Sequence, residues 1–252
     1  MISEKNPDLY GRLYSSPNNP DLKPYVKTDF SDITREIILK AAKENGLSAR
    51  DIYPEDIGAR PEQLDEVLKQ CGLGRLLVAE FVEPTNWKHM YHLSTANPLD
   101  VAMLDTHDTP SIQEFFTKLS DDKKTQFAWL LSSDLRFNYN DNLKSLSQLV
   151  RMQWGALLAS PAERVGAFFT SWTGQQGRYN EPGHSGQWQL RCVVDFERLY
   201  FENLARGLAY NPFDAIALAI YARGDEFYYQ HEELVRQLRL AESEILNLAK
   251  QL

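Results

Sequence analysis

Cysteine is scarce in this sequence: Cys71 and Cys192 are the only two in 252 residues. They stand far apart, and the first dozen residues are polar, without the apolar stretch of an export signal. A disulfide framework is therefore excluded, and two buried thiols are expected. Long apolar runs are also missing, so no membrane span is expected. Lys and Arg form no cluster and the net charge is −8, which argues against a nucleic-acid or anionic-membrane partner. The glycine-rich phosphate loops of nucleotide and dinucleotide folds are absent. His89 and His92 have an i,i+3 spacing but no convincing third or fourth ligand, so neither a metal nor a cofactor is expected. Together these absences describe a soluble, cytoplasmic protein.

What is present is an ordinary globular composition, 43% hydrophobic and 12% aromatic. The rings can fill a core or stack on flat ligands such as pyranose faces. Residues 1–30 carry loop punctuation, Asn18-Asn19-Pro20 and Lys23-Pro24-Tyr25, and form an irregular N-terminal segment. Residues 31–252 carry periodic patterns. A helix is expected from Ser31, with Ile33, Ile37, Ile38 and Ala41 on one face and Gly46 closing it. Asp51 to Gly58 has the shape of a short strand running out into acids. Pro61 to Cys71 reads as a helix ended by Gly72. Leu76-Leu77-Val78-Ala79, Val101 to Leu104 and Val165 to Phe169 read as buried strands. Helices are expected from Pro110 to Leu119, through 121–160 with a break at Asn138 to Asn140, and over the last forty residues. In the last of these Leu234, Leu238, Ala241, Ile245 and Leu248 form a stripe.

Strands alternating with helices imply an α/β fold with parallel strands and right-handed crossovers. Three of the strands end in polar residues: Glu55-Asp56, His107-Asp108 and Ser171-Trp172. Both a (β/α)8 barrel and an open doubly wound sheet place their sites at such ends; the missing phosphate fingerprints favour the barrel. Eight βα units need roughly 250 residues, yet only about four strands stand out. The expectation is half of a TIM-type barrel with additional helices. Glu55 and Asp108 are then two carboxylates at strand ends, the residue types that glycosidic bond cleavage requires. The competing reading is that each caps the following helix. His107 could donate a hydrogen bond to a sugar hydroxyl or be a satisfied buried histidine.

Four stretches, in order over residues 35–200, resemble the C-terminal half of the 4-α-glucanotransferases of the amylomaltase, or disproportionating enzyme, family. Pro54-Glu55-Asp56-Ile57-Gly58 is similar to the family's A-E-D-L-G. Gly74 to Phe81 is similar to its G-M-x-V-L-x-F strand, and Thr106-His107-Asp108-Thr109 to T-H-D-N-D-T. Gly174 to Gly183, with Trp188 and Arg191, is similar to G-x-x-x-R-x-N-x-P-G followed by N-W-x-x-R. The resemblance implies Glu55 as general acid/base and Asp108 as transition-state stabiliser. It implies His107, Asp56, Arg178 and Asn180 as sugar ligands, with a role in closing the barrel as the other reading of Arg178 and Asn180. The substrate it implies is a maltooligosaccharide or α-glucan.

The departures are specific. The family's nucleophile sits in an R-I-D-H stretch, which this sequence lacks; Asp29 and Asp32 precede Glu55 without that context. Pro54 replaces an alanine, Asp105 a glycine, and Gln187 an asparagine, while Thr109-Pro110 interrupts N-D-T. Three readings follow. The chain transfers α-1,4-glucan segments with a separate N-terminal-half polypeptide that carries the nucleophile. Alternatively it is a non-catalytic glucan-binding scaffold, or a self-contained α-glucan hydrolase. Exposed strand edges would also favour a partner or a homo-oligomer.

Overall fold

The computed structural model describes residues 34–55, 64–180 and 196–251. Ser31, Ile33, Asp56 to Gly58, Pro61, Gln187, Trp188, Arg191 and Cys192 lie outside them. The chain divides into two compact units, Met1–Leu76 and Leu77–Leu252.

In the first unit, a π-helical stretch, Thr34–Leu39, runs into α1 (Lys40–Glu44). Gly46 follows at φ 77°, a left-handed conformation that suits glycine at a helix end. The expected apolar face is not buried: Ile37 is 63% and Ile38 46% exposed, and Ala42 is the buried residue. The i→i+5 bonding of a π-helix widens the turn, so residues spaced for an α-helix no longer share a face. Ahead of Glu55 there is no strand among the described residues. Ser48 donates from its backbone N (2.8 Å) and its hydroxyl (2.7 Å) to the Asp51 carboxylate, and Ala49–Asp51 winds into a 3-10 turn. Local side-chain bonding of this kind diverts the backbone from ladder pairing. α2 (Leu64–Cys71) buries Val67, Leu68 and Cys71 against Leu73 and the partly buried Leu39, Ala49 and Ile52.

The second unit holds a three-stranded sheet in the order β1 (Leu76–Val78), β2 (Val101–Met103), β3 (Arg164–Gly166); its first residue is the last of unit 1. β2 and β3 are parallel, with Val101 opposite Arg164 and Met103 opposite Gly166. Two strands are shorter than their apolar runs. After β1 the chain tightens into a 3-10 turn at Ala79–Phe81. After β3, α6 (Phe169–Thr173) begins where strand was expected. There the Phe168 amide is taken by the Asp105 carboxylate (2.7 Å), out of reach of a ladder partner.

The helices follow their local signals. α3 (Ile112–Lys118) and α4 (Asp121–Asp134) start at Ser111 and Ser120, whose hydroxyls accept from Glu114 N and Lys123 N. α5 (Leu146–Ala159) comes after the break, which extends through the Asp141–Lys144 turn. α7 (Phe196–Ala205) precedes α8 (Pro212–Ala222). Asn211 caps α8 by accepting from Phe213 N and Asp214 N, and Pro212 opens its first turn. α9 (Asp225–Gln230) and α10 (Glu232–Ala249) complete the chain.

The main core lies between the sheet and α3, α4, α5 and α8, with Leu104, Ile112, Phe116, Leu131, Leu149 and Met152 fully buried. The rings of Phe115, Phe116 and Phe127 meet edge to face at 5.3–5.5 Å. Buried Asp214 ties three helices by accepting from Arg151 Nε and from Arg239 Nη1, each at 2.5 Å. The expected stripe of α10 holds in its middle, where Leu238 and Ile245 pack against buried neighbours, and shifts by one position at its two ends. Val235 and Ala249 are buried, whereas Leu234 is 44% and Leu248 58% exposed. Val235 packs with Ala217 and Ile220 of α8, and Ala249 with Leu204 and Ala209. These neighbours choose among several apolar registers on one helix.

Candidate active site

Parallel pairing sends the chain out of β2 and β3 at the same end of the sheet, and Leu104 N extends the ladder to Gly166 O at 3.0 Å. β2 continues into Asp105-Thr106-His107-Asp108-Thr109, which folds on itself. Thr106 N donates to Thr109 Oγ1 (2.9 Å), Asp108 N to Thr106 Oγ1 (3.2 Å), and Thr109 N to Thr106 O (3.3 Å). With Thr106 and Thr109 buried, these bonds satisfy the turn internally and leave the His107 and Asp108 side chains outward, 56% and 34% exposed.

Asn180 clamps both. Its backbone N donates to His107 O (3.0 Å), and its Nδ2 donates to Asp108 Oδ1. His107 Nε2 stands 3.4 Å from the same carboxylate oxygen. Three of the residues singled out from sequence, His107, Asp108 and Asn180, are thus brought together across more than seventy positions. The segment carrying Asn180 is fixed along its length. Gly174 ends α6 at φ 72°, where any β-carbon would stand 2.8 Å from Leu208 O; only glycine tolerates both the conformation and the closeness. Gly177 N donates to Glu114 Oε2 (3.2 Å). The Tyr179 ring meets the edges of Phe168 and Phe169 at 5.3 and 4.9 Å, and Phe168 lies 6.5 Å from the His107 ring.

Glu55 belongs to the first unit and is exposed. Asp56 lies outside the described residues. Arg178 is partly buried, and its charge acts on Glu80. His92 is not aimed at a metal: its Nε2 meets Asp134 at 2.9 Å and its Nδ1 contacts Trp87 O at 3.0 Å. Burial works against its charged form, but the Asp134 carboxylate outweighs this and raises its pKa above the ordinary value. Among the described residues no group of three metal-ligating side chains occurs.

Beneath the His107-Asp108 turn lie two acids that were not among the site residues expected from sequence, Glu80 and Asp105. Glu80 is 8% exposed and Asp105 is completely buried. Burial raises the Glu80 pKa well above the ordinary carboxylate range, with the nearby charges of Asp105 and Glu114 adding to it; Thr109 and Arg178 pull the other way. Asp105 accepts from Phe168 N (2.7 Å) and from Ser171 Oγ (2.6 Å), and Ser171 Oγ accepts from Ile112 N (2.8 Å). Burial nevertheless wins and pushes its pKa up to about 7. The signals were available in the sequence: an acid inside the apolar run Leu76 to Phe81, and an acid at a position where the resembling family has glycine.

Asp105 makes stability depend on pH. Its folded value of about 7 lies above the ordinary 3.8, so between these limits the folded protein holds a proton that the unfolded chain has released. Stability therefore falls as pH rises from about 4 to about 7, by a few kcal/mol at most. Asp105→Asn removes this titration. The difference in unfolding free energy between wild type and Asp105→Asn, measured by urea denaturation, should shift in the variant's favour across that window; a constant difference would contradict the assignment.

The 4-alpha-glucanotransferase family matches residues 12–195, well over half of the chain. The chain belongs to this family. Among solved structures it is similar to the amylomaltase from Streptococcus agalactiae in complex with acarbose. Identity there is 17% and the TM-score 0.47, over 75% of this chain and 35% of that one. It is also similar to the amylomaltase from Corynebacterium glutamicum, at 16% identity and a TM-score of 0.44, over 61% and 25% of the two chains. This 4-alpha-glucanotransferase-family chain thus spans about a third and a quarter of the lengths of these two proteins. No curated protein matches it. No described helix is long and apolar enough to cross a membrane.

Proposed function

We propose that this chain is the proton-transfer and charge-stabilising part of a retaining 4-alpha-glucanotransferase that transfers segments of a cytoplasmic α-1,4-glucan. One observation carries the reading: in a member of this family, Asn180 holds Asp108 and His107 together at the strand end. Residues 31–252 form the C-terminal half of a (β/α)8 barrel in this reading, and a second polypeptide completes it with the nucleophilic aspartate. Self-association is the other way to cover the open strand edges.

The chemistry assigns a task to each group. The nucleophile attacks the anomeric carbon while Glu55, as the acid, protonates the departing glycosidic oxygen. The bond to the leaving sugar breaks and a glycosyl ester forms. Glu55, now a carboxylate, takes the proton from an acceptor sugar hydroxyl as that oxygen displaces the ester. Asp108 faces the ring whose positive charge grows in both transition states, and fixed negative charge there lowers both barriers. The Asn180 amide and the His107 ring keep that carboxylate from turning away. His107, with 56% of its side chain exposed, is free to contact a sugar hydroxyl; Asp56, Arg178 and Asn180 complete the sugar contacts.

The test is a transfer assay with maltotriose. The chain alone should be inactive, and mixing it with a polypeptide bearing an R-I-D-H stretch should yield longer maltooligosaccharides. Glu55→Gln should remove that activity by at least about 10²-fold, the usual worth of a general acid or base. Activity of the chain alone would show that it carries its own nucleophile. Sugar binding without turnover in any mixture would favour a glucan-binding scaffold, the reading that the missing R-I-D-H stretch supports.

A further inference from the structure

A large cavity among the described residues lies away from Asp108. It has a volume of about 990 Å³ and lies in the helical layer of the second unit, between the Phe137 to Leu143 segment, α5, α8 and the start of α10. Small-molecule sites are typically concave, at roughly 300–1,000 Å³, with apolar walls and a few placed polar groups. None of its lining residues comes from the segments that build the Asp108 site.

Its wall is aromatic. Phe137 and Tyr221 lie 5.7 Å apart with their planes 32° from parallel, and Tyr228 meets Tyr221 edge-on at 5.8 Å. Tyr221 is 41% exposed, so ring surface is open to an occupant. The polar groups around it are of mixed sign. Arg236 donates from Nε and Nη2 to Glu233 at 2.7 and 2.6 Å. Arg151 and Arg239 are both engaged by Asp214. Asn138 and Asn140 also line the cavity.

This pattern selects a class of ligand. An anion would have to break charge-assisted pairs that are already made. A purely apolar ligand would leave guanidinium and carboxylate groups desolvated without new partners. A neutral ligand with hydroxyls at its edge and a flat apolar face meets neither penalty. Its hydroxyls can accept from the arginines and donate to Glu232 or Glu233 without separating them, while its face lies on Tyr221.

We propose that this cavity is a second saccharide-binding site, separate from the Asp108 site, that takes a short segment of neutral α-glucan. The choice of an α-glucan rests on the proposed function; the site's neutral, hydroxylated specificity rests on the cavity itself. Such a site would hold a polymeric substrate on the protein between transfers.

The probe is maltoheptaose, titrated into the full chain by calorimetry and followed by amide chemical shifts. Binding should occur in wild type. Shifts should concentrate at Phe137 to Leu143 and at Tyr221 to Arg239. Tyr221→Ala and Arg236→Ala should each weaken binding about tenfold, or about 1.4 kcal/mol. Arg236 is largely exposed, so its variant should fold even if Tyr221→Ala does not. Absence of binding to wild type would overturn the proposal, as would shifts confined to Thr106 to Thr109 and Asn180 with full binding retained in Arg236→Ala. The outcome is separable from the transfer assay: saccharide binding at this cavity would stand even if no mixture showed turnover, and turnover with an empty cavity would leave the proposed function intact.

Discussion

Asp108→Asn should lower transfer activity in the complemented enzyme by at least about 10³-fold, the upper range for losing one preorganised electrostatic contact to a transition state. The variant is nearly isosteric. Its Oδ1 can still accept from Asn180 Nδ2, and the Thr106 to Thr109 turn uses backbone and threonine groups that the substitution leaves alone. Only the charge is removed. The fold should therefore persist, with a melting temperature within a few degrees of wild type, while kcat falls much more than KM rises. Asn180→Ala provides the graded comparison. It removes the clamp but not the charge, so its loss should be smaller, about ten- to a hundredfold. If Asp108→Asn kept more than a tenth of wild-type activity, Asp108 would not be the stabilising carboxylate; nor does it cap the next helix, which Ser111 does.

Gly155→Leu should destabilise the chain by about 3 kcal/mol or more, the upper end of over-packing effects. Gly155 sits on α5 where α8 packs against it, the most extensive helix pair among the described residues. A β-carbon at this position would stand 2.8 Å from Leu218 Cβ and 3.0 Å from Leu218 Cδ1. The first of these atoms is fixed to the α8 backbone and cannot swing aside, so the helices must separate. Leu149, Val150, Met152 and Leu218 in the same core would lose contact together. Gly155→Ala carries an opposing gain of up to about 1 kcal/mol in helix propensity, so its net loss should be smaller than that of the leucine variant. The urea midpoint checks this. An unchanged midpoint for Gly155→Leu would mean that α5 and α8 do not pack this closely.

The first of these predictions was legible in the sequence and the second was not. His107-Asp108 stood out because a polar tetrapeptide follows a short apolar run. Gly155, inside Leu146–Ala159, looked like any glycine in a helix, because nothing in its neighbours tells that a leucine sixty positions later lies against it. The acids divide similarly. Glu55 and Asp108 were recognised through motifs, whereas Glu80 and Asp105 acquire their chemistry from burial, which is set by the whole chain.

Local physics is what the sequence by itself determined. Ser111, Ser120 and Asn211 start helices because their side chains accept from amides two or three residues on, and Gly72 ends one at φ 65° because a left-handed turn costs glycine little. The order of motifs along the chain likewise gave the family. Tertiary structure decided everything that needed distant residues to meet. It shortened β3 by giving the Phe168 amide to Asp105, and at the start of α10 it buried Val235 against α8 in place of Leu234. It also set Asn180 against Asp108, a contact that exists only because β2 and β3 run parallel and deliver their following loops to the same end of the sheet.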